Sequence, residues 1–424
     1  MLTLADIVQG LTTHRPAELE RRATSVYVDS RQVEPDGVFI ALKGENADGH
    51  SFVANAVANG AAVVIVERLE GRVVPVVDLR EARPQFPQAW QFPLALQVSS
   101  TLDALQKLAA FWRRRHTPRV IGITGSVGKT TTKELAADVL AQRYRTLKSE
   151  RSFNNEIGLP LTLLQLTAEH ERVVLEMGMY DVGEISQLAR IALPHVGVVT
   201  IIGPVHLERA GSMDRIVQAK TELVSALPAA PEGVAILNCD DPRVMGMQAS
   251  TVARVFTYGL SPKADLRASV IEGLGLEGVR FQLHYQGETL HVRVPLLGRH
   301  SVHTALRAAA IGLVEGLTWQ EIVEGLHAPS SQLRLVAVPG PRGATILDDT
   351  YNASPASTIA ALNLLDELEG RKIAVLGDML ELGEQERAGH EKVGMRAIEV
   401  VDVLITVGER GRIIGETALR WGGT

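Results

Sequence analysis

Residues 120–140 hold the feature that most narrows the choice of fold. An apolar run, VIGIT (120–124), is followed by the turn GSVGKTT (125–131) and then by Leu135, Val139 and Leu140 at helical spacing. A strand that breaks on glycine directly into a helix is the building step of an α/β fold. The turn also carries chemistry. Backbone N–H groups of a glycine-rich loop can surround phosphate oxygens, because glycine places no side chain in the way. Thr124, Gly125, Ser126, Val127 and Gly128 make that cradle, and Lys129 reaches the β- and γ-phosphates of a bound nucleotide. Thr130 offers its hydroxyl to Mg²⁺, with Thr131 beside it. The spacing is the compact G-x-x-G-K-T from Gly125, since Ile at position 123 breaks the longer G-x-x-x-x-G-K-T form. A bare glycine turn with a solvated lysine is the plainer alternative.

Two more apolar runs, VVLEM (173–177) and VGVVTII (196–202), read as buried parallel strands. Glu176 ends the first of them, and the carboxyl edge of a parallel sheet is where α/β folds bind ligands. Beside a phosphate loop such a carboxylate holds or water-bridges Mg²⁺; capping or ion pairing is its ordinary use. His206 follows the second run, and a lone histidine is more often structural. Its weight comes from position, as the third polar group delivered to one sheet edge. Lys220 lies in SMDRIVQAKTELVSAL (212–227), a helix with Ser212 at its start and Asp214 in its first turn. Ile216, Lys220, Leu223 and Leu227 recur at spacings of four, three and four, which puts the lysine within the apolar stripe. It either snorkels its ammonium to the surface or is desolvated, which favours the neutral amine. A neutral amine can capture CO₂ as a carbamate, an anionic oxygen ligand for a second Mg²⁺.

Around this core, two breaks divide the 424 residues: REARPQFPQAWQFP (80–93) and HAPSSQ (327–332). The expected domains are 1–98, 99–328 and 329–424. The first opens on a helix with Thr3 and Asp6 at capping-box spacing, followed by the strands GVFIAL (37–42) and AAVVIVE (61–67) with a helix between them. In the second, VRFQLHY (279–285) and TLHVRV (289–294) alternate around Gln286-Gly287-Glu288 and predict an antiparallel hairpin, and Thr318 with Glu321 opens a capped helix. The third resumes strand-helix alternation through ATIL (344–347), KIAVL (372–376) and VLITV (403–407). The fold class is α/β. A net charge of −6 argues against nucleic-acid binding through bulk electrostatics. One cysteine, Cys239, supplies neither an internal disulfide nor a thiolate cluster. The opening MLTLADIVQG lacks the basic start of a signal peptide, and no apolar run is long enough to span a membrane, so a cytoplasmic protein is expected.

Taken together, these residues resemble the Mur ligase family, in particular its MurF branch. The resemblance runs through DSR (29–31), DGHSF (48–52), GITGSVGKTTTKE (122–134), SFNNEIGLPLTLL (152–164), LEMGMYDVGEISQL (175–188), HLERAGSMDRIVQAK (206–220), DDTYNASPAS (348–357) and LGDMLELG (376–383) with His390. It implies a small N-terminal α/β domain that binds a UDP-sugar, a central P-loop domain built on a mostly parallel sheet, and a Rossmann-like C-terminal domain. The implied activity is an ATP-dependent amide ligation, through an acyl phosphate, that adds D-alanyl-D-alanine to UDP-N-acetylmuramoyl-tripeptide. The implied cofactors are ATP, two Mg²⁺ ions and a CO₂-derived carbamate on Lys220; the implied state is a monomer. Lys129 and the loop amides then bind the triphosphate, Thr130 and Glu176 hold one Mg²⁺, and His206 with carbamylated Lys220 holds the other. Arg334 clamps phosphate, and Asp349 binds the ribose. Asn154 and Asn155 line the active cleft; Ser30, Arg31, Gly49 and His50 face the UDP-sugar; Asp378, Glu381 and His390 lie near the incoming dipeptide.

The chain departs from that family twice. Ser301 and Thr304, in LGRHSVHTALRAAA (297–310), replace amides that serve the nucleotide side. The third domain is expected to be shortened, because a further strand-helix unit with a Lys-Gly-Ser-Arg motif is not found before WGGT (421–424). Two other functions stay open on the residues: a folylpolyglutamate-type ligase with another acceptor, and a nucleotide-binding module without catalysis.

Overall fold

The structure is a computed structural model that describes every residue except 1, 17–18, 45–46, 70–73, 82–83, 151, 206, 328–334 and 423–424. It forms two compact units. The first comprises Met1–Arg119, Ser149–Val173 and Gln187–Leu193; the second comprises Val120–Lys148, Val174–Ser186 and Pro194–Thr424.

The first unit opens on α1 (Leu4–Thr12), where the Thr3 hydroxyl accepts from the Asp6 N–H and the Asp6 carboxylate accepts from the Thr3 N–H, the expected capping box. It continues through β1 (Val26–Tyr27), β2 (Val38–Ile40), α2 (Val53–Ala58), β3 (Val63–Val66), β4 (Val76–Asp78), β5 (Leu94–Gln97) and α3 (Thr101–Arg114). All neighbours in its sheet, ordered β1-β2-β3-β5-β4, run parallel. Residues 80–93 add no helix or strand among the described residues.

The second unit is built on β6 (Arg119–Thr124), α4 (Lys129–Leu140) and β7 (Thr146–Lys148). The chain then contributes α5 (Gly158–Leu163) to the first unit, where the Trp112 indole N–H donates to the Leu166 carbonyl at 3.0 Å. Next come β8 (Arg172–Glu176), α6 (Glu184–Ala192, counted with the first unit from Gln187 on), β9 (Val196–Val199), α7 (Leu207–Ala210), α8 (Met213–Ser225), β10 (Val234–Asn238), α9 (Pro242–Gly246), β11 (Arg254–Gly259), β12 (Leu266–Gly273), β13 (Val279–Tyr285), β14 (Glu288–Val294), α10 (Ser301–Val314) and α11 (Trp319–His327). The large sheet runs β14-β13-β12-β11-β10-β9-β6-β8-β7. Strands β6 and β9 to β12 pair in parallel, and β13 and β14 close it as the expected antiparallel hairpin. Gln286 (φ 50°) and Gly287 (φ 87°) both take the left-handed conformation that a two-residue hairpin turn needs. Strand β6 lies between β9 and β8, so chain order reverses across it, and open sheets leave a crevice beyond the strand ends at such a point.

Glycines set how closely helix α8 approaches this sheet. Gly122 of β6 and Gly197 of β9 are register partners. A Cβ on Gly122 would stand 2.9 Å from a Leu223 methyl, and one on Gly197 3.1 Å from a Leu227 methyl. Leu223 of the helix and Leu227 just beyond its end therefore seat in the shallow track left by two missing side chains. The other face is filled by α4, α10 and α11 over an almost fully buried core that includes Ile121, Leu135, Val139, Val198, Ile236 and Leu306.

One expectation needs correcting. The strand expected over 196–202 ends at Val199, because the next carbonyl, on Thr200, is taken by the Asn238 amide at 3.0 Å and the Tyr258 hydroxyl at 3.0 Å. The expected strand-helix alternation of the third segment is present, and its strand at ATIL lies in β16 (Thr345–Asp348), which pairs antiparallel with β15 (Val336–Pro339). Only five residues (340–344) join them, too few for the crossover a parallel pair requires. The remaining elements are α12 (Pro355–Glu367), β17 (Ile373–Leu376), α13 (Glu386–Val400), β18 (Val403–Thr406) and α14 (Gly411–Arg420); β17 and β18 are parallel and joined through α13. Among the described residues no helix is long and apolar enough to cross a membrane.

Candidate active site

Strand β6 ends on Thr124, fully buried, whose hydroxyl has no hydrogen-bond partner among the described residues. The chain then turns through Gly125 (φ 144°), Ser126, Val127 and Gly128 (φ 85°) into α4. A Cβ on Gly125 would fall 1.8 Å from the Thr200 hydroxyl oxygen, so no other residue fits there. That approach is used: Thr200 donates to the Val127 carbonyl at 2.7 Å, and Ser126 exchanges hydrogen bonds with Gly203, its hydroxyl donating to the carbonyl and accepting from the N–H, both at 2.9 Å. The segment after β9 is thus the buttress of the loop, itself held where the Asp241 carboxylate accepts from the Ile202 N–H at 2.8 Å. Helix α4 begins at Gly128 with no side-chain cap. Its first N–H groups face outward with the positive end of the helix dipole, which makes an anion site.

Lys129 folds over this loop, its ammonium donating to the Gly125 carbonyl at 2.9 Å. Thr130 donates to the Glu176 carboxylate at 2.8 Å, and Glu176 is fully buried at the end of β8. Thr131 is half-buried on the same turn. Lys220 sits one helical turn before Leu223, the residue seated on Gly122. It is only 3% exposed, so the snorkelling alternative does not hold. Burial, and then the charge of Lys129, pushes its ammonium well below the usual lysine range. Among the described residues it has no hydrogen-bond or ion-pair partner. Helix α8 is also tied to the loop after β8: Glu222 accepts from the N–H groups of Gly183 at 2.6 Å and Ser186 at 2.8 Å, and Arg215 pairs with Asp181 at 2.5 Å. Thr130 thus meets Glu176 directly, and Lys220 lies within electrostatic reach of Lys129.

The donor set suits Mg²⁺. One hydroxyl and one buried carboxylate, 2.8 Å apart, are what that ion uses when phosphates and water complete its octahedron. Lys220, buried beside a second ammonium and unpaired among the described residues, fits a lysine that is uncharged or modified rather than cationic. His206 and Arg334 lie outside the described residues.

Other expected residues fall elsewhere. In the second unit, Asp349 is half-buried between β16 and α12. Asp378 accepts from the Arg410 N–H at 3.0 Å and the Gly411 N–H at 2.7 Å at the start of α14, and the Glu381 carbonyl accepts from the Glu208 N–H at 3.4 Å. In the first unit, Ser30 is buried, Arg31 is exposed and bidentate with Asp29, and the Gly49 N–H donates to the Leu42 carbonyl at 2.8 Å. Asn154 is half-buried, and the Asn155 carboxamide accepts from the Gly158 N–H at 2.9 Å at the start of α5. His50 and His390 are each engaged inside the fold. His50 donates from Nδ1 to Asp48 at 2.6 Å and accepts at Nε2 from the Glu67 N–H at 2.9 Å; His390 donates to the Glu386 carbonyl at 2.7 Å and accepts from the Met379 N–H at 3.1 Å. Both rings are buried with both nitrogens used, so they hold loops in place.

The comparisons with known proteins bear on the whole chain. Three family profiles match in succession: "Mur ligase family, catalytic domain" over residues 22–113, "Mur ligase middle domain" over 123–312, and "Mur ligase, glutamate ligase domain" over 333–420. The UDP-N-acetylmuramoyl-tripeptide–D-alanyl-D-alanine ligase of Bacillus subtilis is 36% identical over 98% of this chain and 87% of its own length. A crystal structure of MurF from Acinetobacter baumannii superposes with a TM-score of 0.84 at 33% identity, covering 97% of this chain and 87% of that one. MurF ligase from Thermotoga maritima, solved in complex with ADP, gives 0.76 at 27% identity, covering 92% and 86%.

Proposed function

This chain belongs to the Mur ligase family, and from that premise we propose that it is the ATP-dependent ligase that joins D-alanyl-D-alanine to UDP-N-acetylmuramoyl-tripeptide in peptidoglycan precursor synthesis. What carries this reading is the Thr130–Glu176 contact at an uncapped helix start, with a buried Lys220 that feels the Lys129 charge, beside a likeness to D-alanyl-D-alanine ligases that extends over nearly the full chain.

A carboxylate is a poor acyl donor, so the tripeptide's terminal carboxylate first attacks the γ-phosphorus of ATP, giving an acyl phosphate and ADP. The amine of D-alanyl-D-alanine then attacks the acyl carbon, and inorganic phosphate leaves from a tetrahedral intermediate. The N–H groups of Gly125 and of Val127 to Thr130, with the Lys129 ammonium, hold the phosphates in line and oppose the charge that builds on them in the first step, while the Ser126 N–H is spent on the Ile201 carbonyl at 2.8 Å. Thr130 and Glu176 hold one Mg²⁺, and His206 with Lys220 as its carbamate holds the other; these ions supply further neutralisation of the phosphoryl oxygens. Arg334 clamps phosphate, and Asp349 binds the ribose. Residues 1–98, through Ser30, Arg31 and Gly49, receive the UDP-sugar. Asn154 and Asn155 serve the tripeptide side, and Asp378 and Glu381, in residues 329–424, lie on the dipeptide side. His50 and His390 position the loops that carry those contacts. The enzyme works as a cytoplasmic monomer on soluble substrates, without nucleic acid.

Phosphate release from ATP tests this assignment. It is expected only when UDP-N-acetylmuramoyl-tripeptide and D-alanyl-D-alanine are both present. Release driven by a folate and glutamate instead assigns another acceptor, and ATP binding without turnover assigns a non-catalytic module; either result overturns the reading.

A further inference from the structure

We infer that Arg307 of α10 is an additional contact for the phosphates of the bound nucleotide, an inference that rests on ATP being the co-substrate. The residue is 5% exposed, in a helix whose neighbouring Leu306 and Ala308 are fully buried. Burying a guanidinium is costly by several kcal/mol unless an anion compensates it. Among the described residues no carboxylate pairs with it. Its hydrogen bonds go to neutral hydroxyls: Nε donates to Thr132 at 2.7 Å and Nη2 to Thr304 at 2.8 Å, with the Tyr258 ring centre 5.9 Å away. The charge is therefore fixed in direction and left uncompensated.

Its direction is toward the phosphate loop. Arg307 Nη2 lies 2.9 Å from where a Cβ on Gly128 would stand, so the guanidinium abuts the backbone at the uncapped start of α4. Thr132 links the two, accepting from Arg307 while donating to the Gly128 carbonyl at 2.6 Å. Thr304, the side chain nearest in sequence that could hold the fork, does so; Ser301 instead donates to the Leu297 carbonyl at 2.5 Å. Arg307 thus adds a cation to a loop that already carries Lys129, and a polyphosphate is the ligand whose charge fits that concentration. A planar fork with a free edge contacts phosphate oxygens in a way that an ammonium cannot copy.

The rival role is a brace that only ties Thr132 to Thr304. ADP and adenosine separate the two, since only ADP carries phosphates. Affinities are measured by calorimetry or by competition with ATP, for wild type, R307Q and R307K. For R307Q the ADP dissociation constant is expected to rise by about ten- to a hundredfold, the range for losing a charge-assisted hydrogen bond, with adenosine within about twofold. R307K, which keeps the charge and most of the packing, is expected to fall between the two with the same selectivity, and it decides the matter alone if R307Q does not fold. Equal weakening of ADP and adenosine, or unchanged ADP affinity, overturns the inference. Failure of wild type to bind ADP would instead sink the ligase assignment itself.

Discussion

Lys220→Ala is expected to lower the rate of phosphate release by about a hundred- to a thousandfold, and millimolar formate or acetate is expected to restore part of it. The reason lies in its burial. Lysine heads are seldom sealed without a partner, and this one is 3% exposed, near the Lys129 charge and held well below its usual proton affinity. If its purpose is to present carboxylate oxygens as a carbamate, removing it leaves a space that a small carboxylate can enter. Thermal stability should not fall, because an alanine removes a desolvated amine along with its stem. Steady-state turnover with and without added carboxylate is the check. A variant with near-normal rates, or one whose lost activity tracks a lost fold, contradicts the role.

Glu176→Gln is the second large effect. The side chain keeps its size and can still accept from Thr130, now at 2.8 Å, so the fold around β8 is expected to persist. What disappears is the negative charge at the strand end. Turnover should fall by about a hundredfold, and the magnesium concentration for half-maximal rate should move upward. Titration of activity against Mg²⁺ measures both. An unchanged magnesium requirement would remove Glu176 from the metal site.

The phosphate loop was legible in the sequence because its demands are local. Left-handed backbone at Gly128 and the close approach at Gly125 admit little besides glycine, and the strand before and helix after are written in adjacent residues. Lys220 was half legible: spacing placed it in an apolar stripe, but only its burial in the fold decided that its head stays inside. The buttress of the loop was not legible, since Thr200, Gly203, Asn238 and Asp241 come from two other strands and resemble ordinary turn residues. Arg307 was hidden for a related reason. In an alanine-rich helix one arginine reads as a solvated face, and nothing nearby in sequence announces Thr132 as its partner. The internal partners of His50 and His390 were equally out of reach, because a histidine that locks a loop through both nitrogens looks the same in one dimension as one that meets a ligand. The β15–β16 hairpin escaped notice because Pro339, Gly340 and Pro341 disguise its turn as a linker.

The account's central claim is that the tripeptide carboxylate is activated by phosphoryl transfer in the site built on Lys129, Thr130, Glu176 and Lys220. The most direct measurement starts from UDP-N-acetylmuramoyl-tripeptide labelled with ¹⁸O in that carboxylate and follows the inorganic phosphate by mass. The account predicts one labelled oxygen in each phosphate released, delivered as the acyl phosphate breaks. Phosphate carrying only oxygen from ATP and solvent would contradict it.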